Sequence, residues 1–158
     1  MSTVFFAANP DEFAELAAGI DLLSTLVHPE GASRPETLAG LDTVAAADLD
    51  PAQLIDLDVL ATESDPVEAR EAVLTPAHEL PDGSGGTVLL PVRSALGARL
   101  AHLSEQEVDA LAEGWAEADG AVDGQWTAFR CGQLIRSLSL LALLAQADHR
   151  DLYVRFEA

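Results

Sequence analysis

The chain predicts an α+β domain, mostly helical, with a small sheet formed in part by its N- and C-terminal strands. Three observations carry this. The start, "TVFFAA" (3–8), is β-branched and aromatic, as strands prefer. The end, "RDLYVRFEA", alternates Leu152, Val154 and Phe156 against Tyr153 and Arg155, the period of two that a strand requires. Between them, apolar residues recur at spacings of three and four behind repeated helix-start signals. No repeat and no linker interrupts residues 1–158, so one domain is expected.

After the first strand, "NPDEFAELAAGIDLLSTLV" predicts a helix with Phe13, Leu16, Ala17, Ile20, Leu23 and Val27 on one face. Asn9 is its N-cap, Pro10 its first residue and Glu12 the partner that completes a capping box. The same grammar recurs at Asp50-Pro51-Ala52-Gln53 and Asp65-Pro66-Val67-Glu68. Proline has no N–H to lose in a first turn, the cap side chain accepts an otherwise orphaned N–H, and the third helical side chain can reach back. These carboxylates are therefore helix punctuation. A cation loop begun at Asp48 would need Gly at its sixth place and Glu at its twelfth, where Gln53 and Val59 stand. Asp56 and Asp58 remain a loose pair, in a stretch "IDLDV" that also alternates like a short strand.

Residues 28–42 and 75–86 read as loops rich in Pro and Gly. "TVLLPV" (87–92) predicts a strand that Pro91 confines to an edge or ends early. Ser104 and Glu107 begin a further helix with Val108, Leu111, Ala112, Trp115 and Ala118 on its apolar side. "GQWTAFRCGQLIRSLSLLALLAQA" (124–147) predicts a long helix whose second half is apolar nearly all round, which implies a central position. Its apolar run, 137–147, is too short to span a bilayer, and the basic, apolar pattern of a secretory leader is absent from the start. A cytoplasmic protein without membrane contact is expected.

Charge is the outstanding compositional feature. The 158 residues hold 27 acidic and 8 basic side chains, net −19, and every basic residue is Arg. Such a surface repels nucleic acid and anionic lipid. The acidity is uneven, with 16 acidic and 2 basic residues in 1–80 against 11 and 6 in 81–158. That asymmetry fits docking to a basic protein; a saline cytoplasm or a GC-rich coding bias gives the same composition without a partner. The helix after Ser104 carries Glu105, Glu113 and Glu117 opposite its apolar side, and no basic residue lies between 100 and 129. These three are the candidate partner-binding residues.

Motifs for catalysis are missing. His28, His78, His102 and His149 are dispersed, and Ser84 sits in a turn ahead of a strand rather than on a nucleophile elbow. The run Gly83, Gly85, Gly86 lacks the Lys and Ser/Thr of a phosphate loop. Cys131, the only cysteine, lies in a helical setting where a thiol packs as a small hydrophobe. No metal site and no cofactor is expected. The long helix does offer a polar stripe: Trp126, Arg130, Gln133 and Ser137 follow i, i+4, i+7, i+11. An Arg beside an aromatic and an amide can line a pocket for a carboxylate or other anion. The alternative is an exposed half-helix with Arg130 paired to the acidic helix before it.

Three stretches together resemble the YfbM-like family of small bacterial α+β proteins: "FFAANPDEFAELAAGID", "ARLAHLSEQEVDALAEGWAEAD" and "LLALLAQADHRDLYVRFEA". They leave the family's middle segment without a counterpart. The resemblance implies an α+β fold and brings no established catalytic residue. The expected role is thus non-catalytic: an inhibitor, immunity protein or adaptor that binds a basic protein, or else a small-molecule binder or enzyme using Arg130 and Gln133.

Overall fold

The computed structural model describes residues 2–16, 43–74, 87–118 and 126–157. Its centre is the pairing of the two terminal strands. β1 (Ser2–Ala8) and β4 (Asp151–Glu157) run antiparallel in a seven-pair register that sets Phe5 opposite Val154 and Phe6 opposite Tyr153. β2 (Thr43–Ala45) joins the free side of β1 and β3 (Thr87–Pro91) that of β4, giving the order β2-β1-β4-β3. Pro91 is the last residue of β3, whose other side has no strand partner among the described residues, as its missing N–H demands.

Strict alternation gives the sheet two apolar faces. Phe5, Ala7, Leu90, Leu152, Val154 and Phe156 turn to the main core, while Phe6, Ala8 and Leu89 turn the other way. Phe13 and Leu16 of α1 (10–16) cover part of that second face, with Phe13 stacked on Tyr153 at 4.3 Å and Tyr153 on Phe6 at 5.6 Å. Phe5 and Phe6 are both fully buried, and each such burial stabilises by about 1.5–3 kcal/mol.

Three helices start where the sequence says they should. Asn9 and Glu12 exchange hydrogen bonds of 3.0 and 2.8 Å, a complete capping box for α1. Asp50 and Gln53 do the same at 2.9 and 2.8 Å for α2 (Pro51–Thr62). Asp65 accepts from the backbone of Val67 and Glu68 at the start of α3 (Pro66–Leu74). The alternation in "IDLDV" is overruled: this stretch is helix, because Leu54, Leu57 and Ala61 bury one face behind a strong cap. Expectations for residues 17–42 and 75–86, including the end of the first helix, His28, His78 and Ser84, lie outside the described residues.

α4 (Ser94–Ala101) and β2 have no counterpart in the sequence reading. α4 is eight residues long, contains Gly97, and has Arg93 at its N-cap with no side-chain capping bond. α5 (Glu105–Glu117) turns Val108, Ala112 and Trp115 inward as expected, while Leu111 is half-buried and Ala118 is the C-cap, beyond the helix. α6 (Ala128–Ala147) starts later than residue 124, at the Thr127 cap, and packs on α4, α5 and the sheet. It is not apolar-lined all round. Ile135, Leu138, Leu141 and Ala142 are buried, but Leu140, Leu143 and Leu144 face solvent, so α6 closes one side of the core rather than running through it. By length and composition alone it is long and apolar enough to cross a membrane; 44% of its apolar window is buried in the fold.

Candidate functional site: a groove on the long helix and an acidic row beside it

The four residues of the polar stripe do meet. Trp126, Arg130, Gln133 and Ser137 line a single open groove of about 210 Å³, closed on its other side by residues 44–47 at the end of β2. Trp126 precedes the helix and is anchored from two directions. Its indole N–H donates to the Asp48 carbonyl at 3.3 Å, and its ring lies 5.9 Å from that of Trp115. Asp48 itself holds a left-handed φ of 61°, a conformation that Asp tolerates and that turns its carbonyl toward the indole. One turn into α6, the Arg130 guanidinium sits 4.1 Å over the Trp126 ring and donates to the Ala47 carbonyl at 3.0 Å. An arginine held against an aromatic face loses less freedom when it takes a ligand. Among the described residues, Arg130 is the only charged side chain lining the groove.

Arg136 pairs with the preceding helix. Its guanidinium reaches Glu105 and Asp109 of α5, each at 3.3 Å. The α5 surface is therefore a row of exposed carboxylates, Glu105, Asp109, Glu113 and Glu117, tied at its N-terminal end to α6. Glu107 lies off this row: the Ser104 hydroxyl and then Arg99 hold its carboxyl below the ordinary value. Exposed pairs of this kind contribute only about 0.2–1 kcal/mol each, so the row is poorly explained by stability.

No family model matches the chain, and neither a curated protein nor a solved structure resembles it significantly.

One constellation escaped the sequence reading. Asp58, wholly buried on α2, accepts two parallel hydrogen bonds from Arg93 at 2.8 and 2.7 Å. Thr62 and Ser64 complete the cluster: the Thr62 hydroxyl lies 2.7 Å from the Asp58 carbonyl, and Arg93 donates to Ser64 at 2.7 Å. The hydrogen bond to Asp58 raises the Arg93 pKa above its ordinary value. All of these groups are turned on one another, which makes the cluster a clasp between α2 and the start of α4. A larger concavity of about 340 Å³ lies beside it, bordered by Arg93, Ser94, Gly97, Arg150 and Tyr153. Both of its arginines already hold carboxylates, Asp58 and Glu12 respectively.

Cys131 is buried, and burial pushes its thiol upward, the reverse of what a nucleophile needs. His102 and His149 are exposed and belong to different turns. Among the described residues no three His, Cys, Asp or Glu side chains converge to hold a metal.

Proposed function

We propose that the protein is a non-catalytic binding module, acting in the cytoplasm, whose acidic α5 face docks a basic partner protein in the manner of an inhibitor, immunity protein or adaptor. The observation that carries this reading is the continuous solvent-facing row Glu105, Asp109, Glu113 and Glu117. A rigid, capped helix fixes the spacing of these carboxylates, and complementary charge raises association rates and rejects acidic competitors. The test is retention of proteins from lysate of the source cells at low and high salt, with Glu105→Gln/Glu113→Gln/Glu117→Gln in parallel. A basic protein held at low salt, released at high salt and lost with the triple variant supports the reading. Equal retention by the variant sinks it.

A second reading is supported by the groove. Arg130, braced by Trp126 and flanked by Gln133 and Ser137, has the makings of a site for a small carboxylate. Tryptophan fluorescence during titration with succinate tests it, since Trp126 lies directly under the guanidinium. Saturation in the parent protein and none in Arg130→Gln is expected; identical curves discard the site.

A further inference from the structure

The solvent face of α6 carries an unusual load. Phe129, Leu140, Leu143 and Leu144 are 74, 60, 45 and 41% exposed. With Gln133, Arg136 and Ala147, which are also exposed, they fall within about 100° of one another around the helix. The stripe runs from Phe129 to Leu144, a length of about 22 Å. Single exposed apolar residues need no explanation, but several aligned on one helix are what a partner covers.

The charges around the stripe say what kind of partner. Arg136, in its middle, faces two carboxylates, Glu105 and Asp109, at 3.3 Å each, so one guanidinium is shared between two acids. Further along α5 come Glu113 and Glu117. At the other end of α6, Asp148 at the C-cap is already paired with Arg150 at 3.3 Å, so the unshared acidity lies on the α5 side of the stripe. A second copy of this chain would bring −19 against −19, and an anionic lipid surface is repelled in the same way.

We infer that the solvent face of α6, with the carboxylates of α5 beside it, is the docking surface for a cationic amphipathic helix. Its apolar side would cover Leu140, Leu143, Leu144 and Phe129, and its Lys or Arg residues would meet Glu105, Asp109 and Glu113. This rests on the basic-partner reading above and specifies the partner's form: about 15 residues with apolar positions at spacings of three and four and basic residues on the flanks.

The experiment uses the full chain and two synthetic probes, a Leu/Lys peptide of about 16 residues with helical apolar spacing and a scrambled peptide of the same composition. Binding is measured by fluorescence anisotropy at low and high salt for the parent protein, Leu140→Gln/Leu144→Gln and the triple Gln variant of α5. The leucines are exposed, so the double variant is expected to fold, and circular dichroism checks that it does. The amphipathic peptide should bind one to one, about tenfold tighter than the scrambled peptide. Leu140→Gln/Leu144→Gln should abolish that advantage while leaving the salt dependence in place. If both peptides bind alike, or the leucine variant binds like the parent, the stripe is not the dock, although salt-sensitive binding lost in the α5 variant would leave the acidic-face reading standing. If the α5 variant and salt change nothing, that reading fails as well. A leucine-dependent dimer that takes up no peptide overturns the inference in favour of a second copy, and leucine-dependent co-sedimentation with phosphatidylcholine vesicles overturns it in favour of lipid.

Discussion

Arg93 grips Asp58 through two parallel hydrogen bonds across 35 residues of sequence, and the carboxylate it holds has no contact with solvent. The pair ties α2 to the residue that starts α4, and Arg99 of α4 adds a hydrogen bond to the Ala61 carbonyl of α2 at 3.2 Å.

Breaking only one side of this pair should be severe. Arg93→Met leaves a buried carboxylate without its counter-charge, and a loss of about 3–5 kcal/mol is expected in urea unfolding. Arg93→Met/Asp58→Leu, which removes both charges, should recover a large part of that loss. A double variant no more stable than Arg93→Met would show that the clasp contributes through shape rather than charge.

The Asp50–Gln53 box predicts a smaller, local effect. Asp50→Ala removes the acceptor for the Gln53 N–H and should destabilise by about 1 kcal/mol. Asp50→Asn and Asp50→Ser keep an acceptor and should stay close to the parent. The comparison needs only thermal or urea midpoints.

Glu12 supplies a pH signature. Its carboxyl lies below the ordinary value of 4.5, first because it accepts the Asn9 N–H and second because Arg150 hydrogen-bonds to it. A depressed folded pKa means that the unfolded chain binds the proton more readily, so the contribution to stability is present above the ordinary value and is lost as pH falls through the folded one. Glu12→Gln keeps a capping acceptor but not the charge. It should be less stable than the parent near neutral pH, and the gap should close as the pH drops below the carboxylate range. A gap independent of pH would mean that charge plays no part.

Two leucines of α6 two residues apart should behave in opposite ways. Leu138→Ala opens a cavity under a fully packed helix and should cost about 2–5 kcal/mol. Leu140→Ala faces water and should stay within about 0.5 kcal/mol. Equal losses at both positions would mean that the outer face of α6 is covered within the monomer.

Local grammar made much of this fold legible. The capping boxes at Asn9 and Asp50, the Pro91 edge strand and the alternation of β4 are short-range signals whose physics is complete within a few residues. The grouping of Trp126, Arg130, Gln133 and Ser137 was legible for the same reason, since helical spacing alone aligns the last three. What could not be read was long-range. Asp58 gives no hint in "IDLDV" that a guanidinium from residue 93 will neutralise it, and β2 is three residues whose identity as strand comes from pairing with β1. The apolar second half of α6 misled for a different reason: composition reports how greasy a helix is, not how much of it the rest of the chain has material to cover.

The pairing of β1 with β4 also sets an order of events during synthesis. Arg150, just before β4, reaches Glu12, just after β1, across 138 residues of sequence. At the usual pace of translation, that separation corresponds to roughly 7–30 s. For that interval the strand carrying Val4, Phe5 and Phe6 has left the ribosome without the neighbour that completes its ladder. Charge accumulates on the chain over the same interval, since 16 of the 27 acidic residues lie within the first 80, and net charge of this kind favours solubility.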